Sequence, residues 1–155
     1  VIYKNFTNLL DQLIKEKDIK INIFGSKEIL PKKIQDIFNK IEDISANNKS
    51  LILNIAFNYG FKNEVKNILK KVYSREYKIN FDNENDIKEL FYLGNIKDPD
   101  LLIRTGGHKR LSNFMMYNLT YTELFFTETL WPDFSISEFK QIIDEFYNIE
   151  RKYGL

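Results

Sequence analysis

The chain has 155 residues with no cysteine and one histidine, and 23 basic residues against 22 acidic ones leave a formal net charge of +1. That length suits one domain with its own core, while the cysteine and histidine counts exclude disulfide frameworks, thiolate catalysis, Cys-ligated zinc and the two-His metalloprotease motif. The balanced charge supplies no global field for nucleic acid or an anionic membrane, no apolar run approaches the ~20 residues of a membrane span, and the start lacks the order of a signal peptide, so a soluble, cytoplasmic chain is expected.

Residues 1–17 place Ile2, Phe6, Leu9, Leu10, Leu13 and Ile14 on one helical stripe. Ile19 to Phe24 alternates before Gly25-Ser26, which predicts a strand with its odd positions on one face. Pro31 fits the first turn of a helix whose stripe runs through Ile34, Ile37, Phe38, Ile41 and Ile44 to Ala46. Leu51 to Phe57 is almost continuously apolar, as for a strand buried on both faces. After the Tyr59-Gly60 break, Val65, Ile68, Leu69 and Val72 mark another amphipathic helix.

The polar stretch 75–99 carries one short helical piece around Ile87 to Phe91. The turn Asp98-Pro99-Asp100 leads into a short buried strand, Leu101 to Ile103, and Arg104-Thr105-Gly106-Gly107 opens a loop at its carboxyl end. Ser112 to Tyr121 is expected to be helical and Glu123 to Thr127 extended, with a turn at Trp131-Pro132-Asp133. Ser135-x-x-Glu138 reads as a capping box before a last helix carrying Phe139, Ile142, Ile143, Phe146 and Ile149. Strands alternating with helices of this length argue an α/β fold, an open and mostly parallel sheet flanked by helices, in a single domain over 1–155.

Ligands of open parallel sheets bind beyond the carboxyl ends of strands. Three such ends are visible, and the one at Arg104 is the richest. Its paired glycines let backbone N–H groups approach a ligand, Arg104 and Arg110 bracket the turn, and Ser112 adds a hydroxyl near a helix start. The chain uses 19 Lys and only four Arg, so two arginines within seven positions point to bidentate recognition of phosphate or diphosphate. A plain strand–helix turn with solvated arginines fits the same residues equally. Glu123, among apolar neighbours, is a candidate Mg²⁺ ligand or a carboxylate at an exposed strand edge. His108 has no evident carboxylate partner and reads as a surface residue or accessory phosphate contact. Trp131 and Phe125-Phe126 read as core.

The run from Asp100 through Arg104-Thr-Gly-Gly-His-Lys-Arg-Leu-Ser-Asn-Phe114, with Tyr121-Thr-Glu-Leu-Phe125 and Leu130-Trp-Pro-Asp-Phe134, resembles the C-terminal signature of cis-prenyltransferases of the bacterial undecaprenyl diphosphate synthase type. Leu53-Asn-Ile-Ala-Phe-Asn-Tyr-Gly60 matches the same family in the right order. The resemblance implies elongation of an allylic, farnesyl-type diphosphate by isopentenyl diphosphate with Mg²⁺, giving a polyprenyl diphosphate. It implies that Arg104, Arg110, Leu111 and Ser112 bind isopentenyl diphosphate, that Glu123 is the Mg²⁺ ligand of this half, and that Ile19, Ile21 and Leu51 line the product tunnel. It also implies a homodimer, no nucleic-acid partner, and at most peripheral membrane contact through the lipid product.

The sequence departs from the family at several positions. His108 stands where the family carries Glu, Gly60-Phe61-Lys62 replaces Gly-Gly-Arg, Tyr117-Asn118 replaces Trp-Gln, and Lys152-Tyr153-Gly154 replaces the Arg-x-Gly that crosses the dimer. The N-terminal phosphate loop with the essential Asp is not in the sequence. The chain is therefore expected to be an incomplete domain, inactive by itself, with no catalytic residue of its own. The alternatives are a non-catalytic partner subunit of a heteromeric prenyltransferase and an unrelated phosphate-binding α/β module.

Overall fold

The structure, a computed structural model, describes residues 18–76 and 79–152. The helix expected over 1–17 lies outside the described residues. The chain divides after Asn67 into two compact units.

In the first unit, β1 (Ile19–Phe24) and β2 (Leu51–Ala56) pair in parallel from Ile19↔Leu51 to Phe24↔Ala56. Parallel partners require a crossover, and α1 (Lys32–Ser45) supplies it. The odd positions of β1, Ile19, Ile21 and Ile23, are buried with Ile34, Phe38 and Ile41 of α1, and Leu53, Ile55 and Phe57 pack alongside. Each such side chain taken out of water stabilises the fold by ~1.5–3 kcal/mol. Asp18, just before β1, accepts from Lys49 N at 3.2 Å and from Ser50 N and Oγ at 3.1 and 2.9 Å, which ties the approach to β2 to the start of β1.

The far edge of β1 is closed by side chains. Ile21 N donates to Ser45 Oγ at 3.0 Å, Ile23 N donates to Glu42 Oε1 at 2.7 Å, and Asn48 Nδ2 donates to Ile19 O at 3.0 Å. Buried backbone donors need partners, and α1 provides them where, among the described residues, no strand does. This explains why Ser45 is 0% exposed while the expected stripe residue Ile44 is turned outward at 52%. Pro31 is also displaced from expectation: it is the N-cap, one position before the first turn.

β2 is not buried on both faces. Leu51 is 56% and Ile52 48% exposed, so the strand starts in the open on both faces, and only Leu53, Ile55 and the following Phe57 reach the core under α1. At the carboxyl end of the pair, Gly25 has φ +116°, and a Cβ there would stand 2.1 Å from Phe57 O. Beyond β2, α2 (Phe61–Tyr73) carries the expected stripe, but its most buried residue is Glu64, which accepts from Tyr59 Oη at 2.5 Å.

In the second unit, α3 (Glu84–Lys88) starts three residues earlier than Ile87, because the Asn83 side chain caps it by accepting from Asn85 N at 3.0 Å. β3 (Leu101–Arg104) and β4 (Glu123–Phe126) pair in parallel, with Leu101 beside Glu123 and Arg104 beside Phe126. The helix expected over Ser112 to Tyr121 does not form. Ser112, Asn113 and Met115 all have positive φ (50, 64 and 43°), which right-handed helix excludes, and the segment is a series of turns.

Trp131–Asp133 is one 3-10 turn and α4 (Ile136–Tyr147) follows, with Ile142 buried. Ile149 falls beyond the end of α4, which Asn148 closes as C-cap. The capping box is half made: Ser135 accepts from Glu138 N at 3.1 Å, while the Glu138 carboxylate is taken by the Thr127 hydroxyl.

Candidate functional site: two arginines at the end of β3

The loops leaving β3 and β4 are bound to each other. Thr127 N donates to Arg104 O at 3.0 Å, Gly106 N to Thr129 O at 2.9 Å and Gly107 N to Thr127 O at 2.9 Å. Gly106 and Gly107 have φ +89 and +76°, where any Cβ is strained. The expectation that their amides face a ligand is thus corrected. Those N–H groups are consumed by the β4 loop, and the glycines serve the turn.

The charged groups do converge. Arg104 Nη1 donates to Ser112 Oγ at 2.7 Å and to the Arg110 carbonyl, and Arg110 Nε donates to the same Ser112 Oγ at 3.2 Å. One hydroxyl therefore accepts from two guanidiniums that, among the described residues, are ion-paired to no carboxylate. Like charges gathered on a neutral acceptor are relieved by an anion, and two planar forks suit phosphate oxygens. Ser112 does its work from a left-handed turn rather than from the helix start expected for it.

The arginines and Ser112 form the polar side of a cavity of about 400 Å³, with Thr105 beside them. Leu102, Ile103, Leu111 and Phe114 form its apolar side. A charged end and an oily wall in one cavity suit an amphipathic ligand. Four of the residues expected here, Arg104, Arg110, Leu111 and Ser112, are brought together. Leu102, Ile103, Thr105 and Phe114 join the lining without having been expected as binding residues. Leu102 and Ile103 carried only a strand signal, and Phe114 arrives through left-handed turns that leave no periodicity to read.

Glu123 and His108, expected beside them, do not line this cavity. Glu123 opens β4 beside Leu101, three residues from the level of Arg104, or about 10 Å along the strands at the usual rise. Its carboxylate is 3.8 Å from Arg151 Nε, and among the described residues no group of three potential ligands could hold a metal. By themselves the described residues do not make up a Mg²⁺ site, with Glu123 alone placed as the ligand expected from this half. His108 is exposed, and its carbonyl accepts from Arg110 N at 3.1 Å. Of the tunnel residues, Ile19 and Ile21 are packed beneath α1, and Leu51 stands at the exposed start of β2. Trp131, expected in the core, is exposed and stacks on Phe134 with ring centres 6.4 Å apart. Lys152 is exposed, while Tyr153 and Gly154 lie outside the described residues.

Residues 1–154 match the prenyltransferase family model described as "Putative undecaprenyl diphosphate synthase". The chain belongs to this family. It is 37% identical over 148 residues to the tritrans,polycis-undecaprenyl-diphosphate synthase (geranylgeranyl-diphosphate specific) of Pyrococcus horikoshii, covering 93% of this chain and 56% of that protein. It is 37% identical over 145 residues to the ditrans,polycis-undecaprenyl-diphosphate synthase ((2E,6E)-farnesyl-diphosphate specific) of Buchnera aphidicola, covering 91% and 58%. The chain thus spans a little over half the length of these prenyltransferases.

Among solved structures, the lavandulyl diphosphate synthase of Lavandula x intermedia in complex with dimethylallyl diphosphate matches with TM-score 0.86 and 28% identity, over 99% of this chain and 69% of that one. A "probable undecaprenyl diphosphate synthase" of Campylobacter jejuni matches with TM-score 0.82 and 30% identity, over 99% and 73%. These likenesses bear out the expected α/β class, and both strand pairs here are parallel. Membership removes the reading of an unrelated phosphate-binding module.

Proposed function

We propose that this chain carries the isopentenyl diphosphate site of a cis-prenyltransferase that elongates an allylic diphosphate to a polyprenyl diphosphate such as undecaprenyl diphosphate. The observation that carries the reading is the convergence of Arg104 and Arg110 on Ser112 Oγ at the mouth of a half-apolar cavity. The two guanidiniums bind the diphosphate, and Ser112 fixes the distance between them. The apolar side formed by Leu102, Ile103, Leu111 and Phe114 takes the five-carbon tail, at ~0.8 kcal/mol for each buried CH₂. Held this way, the isopentenyl group is fixed in position for attack on the allylic carbon, and the contribution of this half to catalysis is orientation and charge stabilisation.

The essential Asp belongs to the part of the family signature outside these 155 residues. Mg²⁺, when bound, would neutralise the charge of the diphosphates. The allylic partner is not selected by kinship, because relatives named for farnesyl and for geranylgeranyl diphosphate are equally similar. A cytoplasmic homodimer touching the membrane only through its product completes the proposal. No helix among the described residues is long and apolar enough to cross a membrane.

The test is incubation of the whole protein with farnesyl diphosphate, labelled isopentenyl diphosphate and Mg²⁺, with labelled polyprenyl diphosphate as the expected product. Binding without elongation would instead identify a non-catalytic partner subunit. By calorimetry, Arg104→Ala should weaken isopentenyl diphosphate binding by ~1.5–3 kcal/mol, the worth of a charge-assisted hydrogen bond. Unchanged affinity would remove Arg104 from the site.

A further inference from the structure

We propose that Arg151 is a clamp joining the segment after α4 to the first rung of β3 and β4, and that this guanidinium, not a metal ion, is the partner of the Glu123 carboxylate. Arg151 Nη1 donates to Asp100 Oδ1 at 2.6 Å and Nη2 donates to Tyr121 O at 3.0 Å. Nε lies 3.8 Å from Glu123 Oε1, and the guanidinium carbon is 5.6 Å from the centre of the Phe146 ring. The Arg151 side chain is only 19% exposed, so its charge is largely withdrawn from water and depends on these partners.

The arrangement follows from the register. Asp100 immediately precedes β3, Glu123 opens β4 beside Leu101, and Glu123 N donates to Asp100 O at 3.0 Å. Two carboxylates meet at one end of the strand pair, and a cation between them removes their repulsion. Lys97 Nζ, 2.8 Å from Asp100 Oδ2, adds a second positive charge. A dication bound at Glu123 would face the Arg151 guanidinium, which cannot lose its proton. The use of Arg here is again informative in a chain with 19 Lys, because one ammonium cannot address two carboxylates and a carbonyl in fixed directions.

Asp100, Glu123 and Arg151 are thus positioning residues. They hold the starting ends of β3 and β4 in register, and the register carries Arg104 to the opposite end of the pair. In the whole protein, Arg151→Ala and Glu123→Gln should each lower Tm by ~2–6 °C, and the double variant should fall well short of the sum. Arg151→Lys, which keeps the charge but not the fork, should recover only part of the loss.

Titration with Mg²⁺ alone, and the Mg²⁺ concentration giving half-maximal activity, should differ less than about twofold between Glu123→Gln and the parent. A Mg²⁺ requirement raised tenfold in Glu123→Gln but not in Arg151→Ala would overturn the proposal. Additive Tm losses would overturn it as well.

Discussion

Single side chains in this protein do work that their residue type does not announce. Ser45 sits on α1 where apolar spacing places Ile44, and it is buried because Ile21 N needs an acceptor at the unpaired edge of β1. Ser45→Ala should therefore cost ~1–3 kcal/mol in denaturant unfolding, the penalty of a buried donor left without a partner. Ser45→Thr, which retains the hydroxyl, should recover part of that if the extra methyl is accommodated. A neutral Ser45→Ala would mean that the edge of β1 takes in water. The arginine site was more legible, because Arg104, Arg110 and Ser112 are close in sequence and their residue types are scarce or chemically pointed. Arg151 was visible only as the fourth arginine. Its partners Asp100 and Tyr121 are 51 and 30 positions away, and no local pattern encodes such a meeting.

At the scale of elements, strands are more legible in this sequence than turns. β1 matches its expected span of Ile19 to Phe24, since alternation over six residues leaves little freedom once one face is buried. The residues of segment 112–121 are compatible with a helix, but three left-handed residues in the first four positions forbid one. Glycine positions make a sharper test of the turns. At Gly25 a Cβ would meet the backbone oxygen of Phe57 at 2.1 Å, which no rotamer change relieves. At Gly107 the obstacle is the mobile tip of Glu128 at 2.6 Å, which can swing away. Gly107→Ala should then show mainly the strain of φ +76°, ~1–2 kcal/mol, and Gly25→Ala should cost clearly more. Equal losses in chemical denaturation would contradict this account of the two turns.

For the whole molecule, acid sensitivity follows from one carboxylate in each compact unit. Asp18 is held below its ordinary value of 3.8 by the Lys49 N–H first, then by the Ser50 hydroxyl. Asp100 is held below 3.8 by Lys97 first and then by Arg151. A depressed folded pKa means that the unfolded chain binds the proton more readily. The stabilisation is therefore present above pH 3.8 and is lost as pH falls through the lower folded values. Thermal melts from pH 7 to pH 2.5 should show Tm dropping at the acid end, and Asp18→Asn or Asp100→Asn should make that drop shallower. A drop of unchanged steepness in both variants would place the acid lability in other groups. The two aspartates act alike although their partners differ, because each receives N–H or O–H donors that favour the charged form.

By itself the sequence determined the α/β class, the parallel pairing implied by alternating strands and helices, the family, and the loop in which two arginines and a serine gather. These depend on periodicity, residue type and short spacing, all of which are local and survive without coordinates. Only the tertiary structure decided what those groups face. It turned the glycine amides toward Thr127 and Thr129 rather than a ligand, built an oily wall opposite the arginines, and closed the edge of β1 with Ser45 and Glu42. It also set Glu123 against Arg151 at the far end of the strands from Arg104. The physical reason is the strand itself. A register shifted by one residue reverses which face a side chain meets, and four residues of strand separate two ends that the sequence keeps close.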